Sequence, residues 1–477
     1  MGLGIFLGIS LVIVNLMLAG ALIFFERKDP TTTWAWLFVI IFLPIIGFLI
    51  YLVFGQNMTR EKLFKYKIVI DERKKESFDK IREKYKDDIS TLENIDIIHM
   101  NYKNCRAAYT QLNEVKLFYD GKEKFKGLFK ALMNAKEFIH MEYYIIQNDE
   151  MGKTLINILT KKVKEGVEVK LLFDGMGSYK INNKKFLKEF VTSGGKYAVF
   201  FPSIIARINR RINYRNHRKI VVIDGTTGFL GGFNVGNEYV NKDKKIGYWR
   251  DTHLLIKGEA VKDLEERFLL DWTYAAHEDI KNVNKYFCID DSIKNIVGMQ
   301  IVSSGPDHKE EYIKNAYVKI INNAKKYIYL QTPYFVPDET VLQSLRIAAL
   351  SGVEVKIMIP GNPDHKFMKW AANSYIGDLL DAGAKIYLYE KGFIHAKTIV
   401  SDDLVCSVGT ANMDIRSFRL NFETNGFIYN SHISQEMKKM FEVDIRESRF
   451  VTKEDYINRS KWSKIAESIV RLLSPIL

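Results

Sequence analysis

A short pattern of polar residues occurs twice in this chain of 477 residues. Each copy has the form His-x-Lys-x(4)-Asp-x(6)-Gly-x(2)-Asn, with identical spacing. The copies consist of His217, Lys219, Asp224, Gly231 and Asn234, and of His395, Lys397, Asp402, Gly409 and Asn412. A histidine that attacks or moves a proton, a lysine charge and an asparagine amide together make a phosphate site. A duplicated set predicts that both copies serve one reaction.

The apolar residues after each histidine predict the element that positions it. Both runs are rich in β-branched residues, which is typical of a buried strand. Side chains alternate between the two faces of a strand, so residues two apart point the same way. His217 and Lys219 therefore share a face, as do His395 and Lys397.

The aspartates and glycines of the motif have different expected tasks. Asp224 and Asp402 complete the catalytic motif, but on an unbroken strand each would face away from its histidine. We expect these two carboxylates to support turns rather than to react. Gly231-Gly232 and Gly409 follow a second short apolar run and mark places where the backbone passes close to another group.

Two longer segments repeat around the motifs. Residues 134–173 and 323–359 each predict a strand, a helix and a second strand, the βαβ unit of a parallel sheet. The fold class is therefore α/β with an internal duplication, in mixed β-sheets flanked by helices. We place the two units at residues 113–292 and 293–477. Halves that meet about a pseudo-two-fold axis would bring both motifs into one site.

The N-terminal region predicts a membrane anchor. Apolar runs at residues 3–25 and 34–54 are each long enough to span a bilayer core of about 30 Å. Together they predict a two-helix transmembrane hairpin over residues 1–58, followed by a charged linker or helical region at 59–112. Basic residues are denser after the second run than between the runs, which places the catalytic part in the cytoplasm, at a multi-pass position in the plasma membrane.

The composition of the chain limits the classes of partner and cofactor that it is expected to bind. The formal net charge of +13 suits an anionic partner, either nucleic acid or an acidic membrane surface. Three scattered cysteines without a C-x-x-C pair argue against a disulfide framework or zinc site and fit a reducing compartment. The histidines form no metal-ligand cluster, so we expect neither a metal nor a cofactor.

Two further segments are amphipathic. Residues 204–215 alternate apolar and basic side chains, which fits either a loop at an anionic lipid surface or an element with one solvated basic face. Residues 462–473 repeat apolar side chains at helical spacing, and we expect that stripe to pack against the rest of the protein rather than to anchor it to a membrane.

The two motifs resemble the paired HKD motifs of the phospholipase D superfamily. Further segments resemble its bacterial cardiolipin synthase branch, and the resemblance covers nearly the whole chain. The segments that carry this resemblance are Arg215-Asn216-His217-Arg218-Lys219, Trp249-Arg250-Asp251-Thr252-His253, Gly392-Phe393-Ile394-His395-Ala396-Lys397 and Ala411-Asn412-Met413-Asp414-Ile415-Arg416-Ser417-Phe418. The resemblance implies duplicated phospholipase D-like domains and the transfer of a phosphatidyl group from one phosphatidylglycerol to another, giving cardiolipin and glycerol.

The resemblance also implies roles for residues. His217 would attack phosphorus to form a phosphatidyl-histidine, and His395 would act as general acid and then base. Asp251 is placed behind His217 and Glu423 behind His395. The non-bridging oxygens would be held by Lys219, Lys397, Asn234 and Asn412. The near-symmetric sequence itself leaves open which histidine attacks first.

Three alternatives share these motifs. A membrane-bound phospholipase D would hydrolyse the lipid instead of transferring it. An HKD nuclease would use the basic charge for nucleic acid, although the apolar runs and the lack of a stacking-aromatic pattern favour lipid. A degenerate pair could serve membrane scaffolding. The sequence leaves open the acceptor lipid, the acyl-chain preference, regulation and the oligomeric state.

Overall fold

The computed structural model describes residues 13–20, 22–24, 30–43, 45–55, 88–182, 185–202, 213–243, 246–288, 290 and 292–473. The strands are β1 (Thr110–Asp120), β2 (Phe138–Tyr143), β3 (Glu168–Asp174), β4 (Lys196–Phe200), β5 (Arg215–Asn216), β6 (Ile220–Ile223), β7 (Thr227–Gly231), β8 (Tyr248–Gly258), β9 (Ile296–Ser304), β10 (Tyr327–Gln331), β11 (Phe335–Val336), β12 (Glu354–Pro360), β13 (Lys385–Tyr389), β14 (Gly392–Ile394), β15 (Thr398–Ser401), β16 (Val405–Gly409), β17 (Met413–Asp414), β18 (Asn421–Tyr429) and β19 (Ser448–Val451). The α-helices are α1 (Pro30–Phe42), α2 (Ile46–Phe54), α3 (Ile89–Glu93), α4 (Ile95–Cys105), α5 (Gly121–Met133), α6 (Glu150–Lys164), α7 (Lys188–Thr192), α8 (Val261–Ala276), α9 (Tyr312–Asn323), α10 (Glu339–Leu350), α11 (Lys366–Asp381), α12 (Ile415–Arg419), α13 (Ser431–Ile445), α14 (Lys453–Ile457) and α15 (Lys461–Leu473).

The two halves have the same strand order. In the first, β2, β3 and β4 are parallel, and β6, β7, β8 and β1 extend the sheet by antiparallel pairing. In the second, β10, β12 and β13 are parallel, and β15, β16, β18 and β9 extend it in the same way. Antiparallel pairing of β1 with β9 joins the halves. The predicted duplication into mixed sheets is confirmed.

The two βαβ units, one in each half, have matching strands and matching helix starts. The predicted strands are present as β2 and β3 in one half and as β10 and β12 in the other. Between them, α6 begins after Asp149 and α10 begins after Asp338. Each of these aspartates accepts a hydrogen bond from a backbone amide of the first helical turn, which satisfies a group that the helix leaves unpaired.

Apolar layers hold the halves together. One core lies between the helices and sheet of the first half, and another occupies the same place in the second. A third core combines side chains from both sheets with α8 and α13, and includes Leu254, Ile394 and Phe422. Burial of this shared layer fixes the relative position of the sheets, because the hydrophobic effect scales with the apolar area removed from water.

The predicted hairpin falls partly outside the described residues. The second predicted span, residues 34–54, falls on two helices, α1 from Pro30 and α2, and the rings of Trp36 and Tyr51 lie edge to face with centroids 5.1 Å apart. No helix in the described part of the chain combines the length and the apolar character needed to cross a bilayer. The amphipathic segment 204–215 is described from Asn213 onward.

Part of the region assigned to the linker is built into the second half. Helix α4 buries Ile97 and Ile98 in the second core. The Nδ2 group of Asn101 donates to Gln300 Oε1 on β9 at 3.2 Å. The helix therefore contributes to the layer that covers the second sheet.

The expectation for residues 462–473 was wrong. These residues form most of α15, but Trp462 and Leu472 are exposed, while Glu467 on another side of the helix is buried. The spacing of apolar residues predicted an amphipathic helix correctly. It carried no information on which face meets the protein, and here the buried face carries the carboxylate of Glu467 together with Val470.

Candidate active site

Strand pairing between the halves places both histidines. His217 follows β5, which pairs in parallel with the start of β18 in the other half, and its backbone N–H donates to Phe422 O at 3.0 Å. His395 follows β14, which pairs in parallel with β8, and its N–H donates to Arg250 O at 2.7 Å. Each motif is thus attached to the sheet of the opposite half.

This crossing corrects the expected carboxylate partners. His217 Nδ1 lies 3.0 and 2.9 Å from the two oxygens of Glu423, and His395 Nδ1 lies 2.6 Å from Asp251 Oδ2. The pairing of Asp251 with His217 and of Glu423 with His395 was therefore wrong. The register of β5 with β18 sets Glu423 beside His217, and that of β14 with β8 sets Asp251 beside His395.

The carboxylates determine which ring nitrogen is reactive. An ionised carboxylate accepts hydrogen bonds but cannot donate one, so in each neutral imidazole the proton sits on Nδ1. The Nε2 lone pairs of His217 and His395 are then available for attack on phosphorus or for accepting a proton. The same arrangement orients histidine in hydrolytic triads.

One cavity of about 870 Å³ contains both histidines in its wall. Asn234 and Asn412 also line it, so the structure brings one histidine and one asparagine from each motif together. Its wall includes apolar side chains from several loops and helices, namely Ile145, Met176, Ile246, Val336, Phe367, Met368 and Ile415. The site can accept a group that is part polar and part apolar.

The motif lysines lie behind the histidines. Lys219 and Lys397 are buried, and each ammonium donates to the backbone carbonyl of its own histidine, at 2.6 Å for Lys219. Burial, with a further contribution from the charge of Lys397, lowers the pKa of Lys219 to about 7 against the opposing effect of Glu423. Burial lowers the pKa of Lys397 to about 8, against the carboxylates of Asp251 and Glu423.

Both histidines are biased toward the neutral form. Burial lowers the pKa of His217, and Lys219 adds to this effect while Glu423 opposes it. Burial and the charge of Lys397 together lower the pKa of His395 to about 3, against the pull of Asp251. A neutral imidazole is the form that can act as a nucleophile.

The two supporting carboxylates remain ionised. Burial by itself would raise the pKa of Asp251, but Lys397 and His395 bring it below its ordinary value. Burial would likewise raise the pKa of Glu423, and His217 and Lys219 lower it. Each carboxylate can therefore stabilise positive charge on its histidine during reaction.

The glycine expectation has a structural counterpart. A Cβ added to Gly232 would lie 2.0 Å from Asp251 Oδ1, and one at Gly409 would lie 2.2 Å from Asn425 Cγ. A side chain at either position requires a neighbour to move, and at Gly232 that neighbour is the partner of His395. Glycine at this position lets the carboxylate reach its histidine.

The asparagines differ in their bonding. Asn234 Oδ1 accepts from the amide of Ile145 at 3.2 Å, and its Nδ2 donates to the Tyr239 hydroxyl at 3.3 Å. Among the described residues, Asn412 Oδ1 is buried without a hydrogen-bond partner. Because an amide oxygen only accepts hydrogen bonds, this atom gains a partner when a ligand hydroxyl enters.

The motif aspartates are remote from the cavity wall and hold turns. Asp224 has a φ of 53°, and its carboxylate accepts from the backbone amides of residues 136–138 at 2.8 to 3.0 Å. Asp402, with a φ of 55°, accepts from the amides of residues 325–327 at 2.7 to 2.9 Å. Neither aspartate lines the cavity, and the contacts of both agree with the turn role that the sequence predicts.

Aromatic neighbours of the histidines were missed. The Tyr144 ring meets the His217 ring edge-on with centroids 5.0 Å apart, and Lys219 Nζ lies 5.4 Å from the Tyr144 centroid. Trp249 lies 5.0 Å from the His395 ring. Trp249 could have been found, since it is two residues before Asp251 on β8 and shares its face.

Further polar groups of the cavity wall were also missed. Arg416 lines the cavity, and its guanidinium donates to Asn213 Oδ1 at 2.8 Å and to the Asn213 carbonyl at 2.7 Å. Tyr334 and Asp364 also line the cavity, and the Tyr334 hydroxyl donates to Asp364 Oδ2 at 2.6 Å. Tyr334 and Asp364 follow β10 and β12, and no motif in the sequence marks them. Over the described parts of the chain, no group of His, Cys, Asp and Glu has an arrangement that could hold a metal ion.

Comparison with protein families gives two matches. The model described as "Cardiolipin synthase, PLD-like domain" matches residues 128–272 and 317–445, one segment in each half. The model described as "Phospholipase D-nuclease N-terminal" matches residues 13–56.

Individual relatives cover nearly the whole chain. A cardiolipin synthase of Clostridium perfringens is 56% identical over 456 residues, covering 95% of both chains. The major cardiolipin synthase of Bacillus subtilis is 49% identical over 475 residues, covering 98% of both. Among solved structures, phosphatidylserine synthase of Haemophilus influenzae matches with a TM-score of 0.60 at 15% identity, over 76% of this chain and 95% of that one. This last likeness concerns the fold.

Proposed function

The chain belongs to the cardiolipin synthases of the phospholipase D superfamily, and from that premise we propose how its site transfers a phosphatidyl group. The enzyme is a phosphatidyltransferase that joins two phosphatidylglycerol molecules into cardiolipin and glycerol. One observation carries the proposed mechanism. His217 and His395 line a single cavity, each with its Nδ1 held by a carboxylate, so two reactive nitrogens face one space.

The first step forms a covalent intermediate. His217 Nε2 attacks the phosphorus of the first phosphatidylglycerol, and a phosphorus–nitrogen bond forms as the bond to the glycerol oxygen breaks. His395 Nε2–H gives its proton to that oxygen, and glycerol leaves. The proton is available because a bound phosphodiester brings negative charge beside His395, which raises the pKa of an imidazole.

The second step reverses these roles. A headgroup hydroxyl of a second phosphatidylglycerol gives its proton to the neutral His395 and attacks the same phosphorus. The phosphorus–nitrogen bond breaks, cardiolipin leaves, and His217 is restored. Acid–base assistance of this kind contributes about 10²–10⁴-fold to a rate. The exchange of one phosphodiester for another requires no nucleotide.

Positive charge stabilises the phosphorane-like transition state. Lys219 and Lys397 supply two ammonium groups beneath the histidines, and Asn234 and Asn412 bring amides from the cavity wall. Donors directed at developing charge in a site that excludes water are a large source of catalysis. Asp251 and Glu423 act through the histidines and balance the charge that develops on them.

The cavity wall favours transfer over hydrolysis. Apolar side chains such as Met176, Phe367 and Met368 border the space beside the histidines. A lipid that fills an apolar wall displaces water from the intermediate, because apolar surface is removed from water on binding. The second lipid then meets the phosphatidyl-histidine with little competition from water.

Membrane attachment completes the proposal. The apolar runs at residues 3–25 and 34–54 would insert as a hairpin, with the units 113–292 and 293–477 on the cytoplasmic side. The family match over residues 13–56 and the lipid substrate support a membrane location. A basic chain also suits a surface rich in anionic phospholipid.

Product analysis tests the function. Purified full-length protein in detergent micelles with phosphatidylglycerol should release cardiolipin and glycerol in equal amounts. His217→Ala, prepared in the same way, serves as the inactive control. Formation of phosphatidic acid without cardiolipin would identify a hydrolase instead.

A further inference from the structure

Helix α15 turns its apolar stripe away from the protein. Trp462 is 81% exposed and Leu472 is 78% exposed. Between them, Ile465 is 50% exposed and Ile469 is 56% exposed. These positions recur at helical spacing and form one continuous face. Contiguous exposed apolar surface of this kind marks an interaction site.

The opposite face is fastened to the protein by polar contacts. Glu467 is buried, and its carboxylate accepts from Arg459 at 2.9 Å and from Asn373 Nδ2 at 3.2 Å. Arg471 donates to Ser374 O at 3.0 Å and lies 3.1 Å from an oxygen of Asp378 on α11. Rotation of the helix to bury its stripe would break these contacts and expose Val470. The orientation is therefore set by the protein.

The charges on α15 match an anionic surface. Lys461, Lys464 and Arg471 are its basic residues, and Glu467 is its acidic residue. Because that carboxylate is buried and paired, the exposed part of the helix is basic and apolar. An amphipathic helix with tryptophan and lysine beside an apolar stripe is typical of helices that lie in the headgroup region of a bilayer.

Helix α15 is connected to the cavity wall through α11. It packs along α11, and the first turn of α11 contributes Phe367 and Met368 to the wall of the cavity. His365, immediately before α11, lines the same cavity. Helix α15 therefore packs on the same helix that supplies part of the cavity wall.

We propose that the exposed face of α15 lies on the headgroup region of an anionic phospholipid bilayer and holds the cavity mouth against it. This proposal rests on the proposed function, since it takes the substrate lipid as the surface. The alternative occupant of the same face is a second copy of this chain, and the test below separates it from a bilayer.

Fluorescence quenching tests the contact directly. Full-length protein is placed in phosphatidylglycerol vesicles with or without brominated acyl chains, and the wild type is compared with Trp462→Phe. Wild-type emission should contain a component from Trp462 that brominated lipid removes, and Trp462→Phe should lack that component. Equal quenching of the two proteins would overturn the proposal.

Kinetics tests the consequence. Ile469→Lys with Leu472→Lys should raise the KM for phosphatidylglycerol in vesicles severalfold and leave turnover in detergent micelles unchanged. Ile347→Lys is the matched control, because it also places a lysine at an exposed isoleucine. Ile347 is 60% exposed near the end of α10, which precedes β12, whereas the loop that lines the cavity follows β12. Its vesicle KM should equal that of the wild type.

The remaining outcomes are also decisive. If the double variant halves the particle mass of the detergent-solubilised protein, the face binds a second copy and the proposal fails. Parallel loss in vesicles and micelles would also refute it, as a defect of folding or chemistry. Absence of cardiolipin from wild-type micelles would refute the proposed function, while lipid quenching of Trp462 would still be measurable.

Discussion

The two motif histidines have the same bonding and different surroundings. Each binds a carboxylate of the opposite half through Nδ1. The His217 ring has the edge of Tyr144 against it, whereas the His395 ring lies 5.0 Å from Trp249 and 5.9 Å from Phe393, two rings that also contact each other. Duplication thus provides two equivalent nitrogens, and the neighbours that differ between the halves can assign them different tasks.

The crossed carboxylates show what duplication adds. Neither half contains a complete histidine–carboxylate pair, because Glu423 serves His217 and Asp251 serves His395. The β1–β9 pairing and the shared apolar core are therefore part of the catalytic apparatus. A change that loosens the halves should disable both histidines together.

The largest expected effect comes from removing either imidazole. His217→Ala and His395→Ala should each lower cardiolipin formation by about 10⁴-fold or more, as for residues that act as a unit. An analogue with a nitrophenolate leaving group separates them, since that group departs without a proton. His395→Ala should release nitrophenolate in a first turnover, and His217→Ala should release none. Release by both variants at equal rates would remove the proposed difference in roles.

The next effect tests the crossed pairs. Glu423→Gln and Asp251→Asn should each lower kcat by about 10²–10⁴-fold, because the imidazole loses its tautomer and its counter-charge. Glu265→Gln is the matched control, as Glu265 Oε1 lies 2.7 Å from Nδ1 of His140 in a buried pair away from the cavity wall. That variant should lose about 1–3 kcal/mol of stability by thermal unfolding and keep its kcat. Wild-type kcat in Glu423→Gln or Asp251→Asn would refute the role of that pair.

The sequence predicted the motifs of this site and the strands that carry them, but not the pairing of each histidine with a carboxylate of the opposite half. The His217 and His395 motifs, the strands after them and the βαβ repeats follow from local patterns. The pairings of β5 with β18 and of β14 with β8 are short contacts between segments far apart in the chain, so no local pattern encodes them. For the same reason the contribution of Tyr334 and the direction of α15 emerged only from the tertiary structure.

A moderate effect is expected from pH. The pKa of Lys219 is about 7 and that of Lys397 about 8, so both ammonium groups are charged at lower pH and lose their protons as pH rises. The KM for phosphatidylglycerol in micelles should therefore be lowest below about pH 7 and rise above about pH 8, since the charged forms attract phosphate. Lys219→Met and Lys397→Met should each weaken this dependence. A KM that stays constant from about pH 6 to about pH 9 would contradict the role of the lysines.

The smallest effect on chemistry concerns the motif aspartates. Asp224→Asn and Asp402→Asn should leave kcat within a few-fold of the wild type, because neither carboxylate lines the cavity and asparagine tolerates a positive φ. Loss of charge-assisted bonds to backbone amides should instead lower stability by about 1–3 kcal/mol, measured by thermal unfolding. A loss of kcat comparable to that of Glu423→Gln in folded protein would place these aspartates in the reaction.

The central claim is that both imidazoles act on one phosphorus atom, and direct detection of the phosphatidyl-histidine intermediate tests it most closely. His395→Ala is mixed with the nitrophenyl analogue, denatured under alkaline conditions that preserve phosphorus–nitrogen bonds, digested, and examined by mass spectrometry. The account predicts a phosphatidyl group on the peptide that contains His217, and its absence from His217→Ala treated in the same way. A phosphatidyl group on any other residue, or cardiolipin formed while His217 stays unmodified throughout, would contradict it.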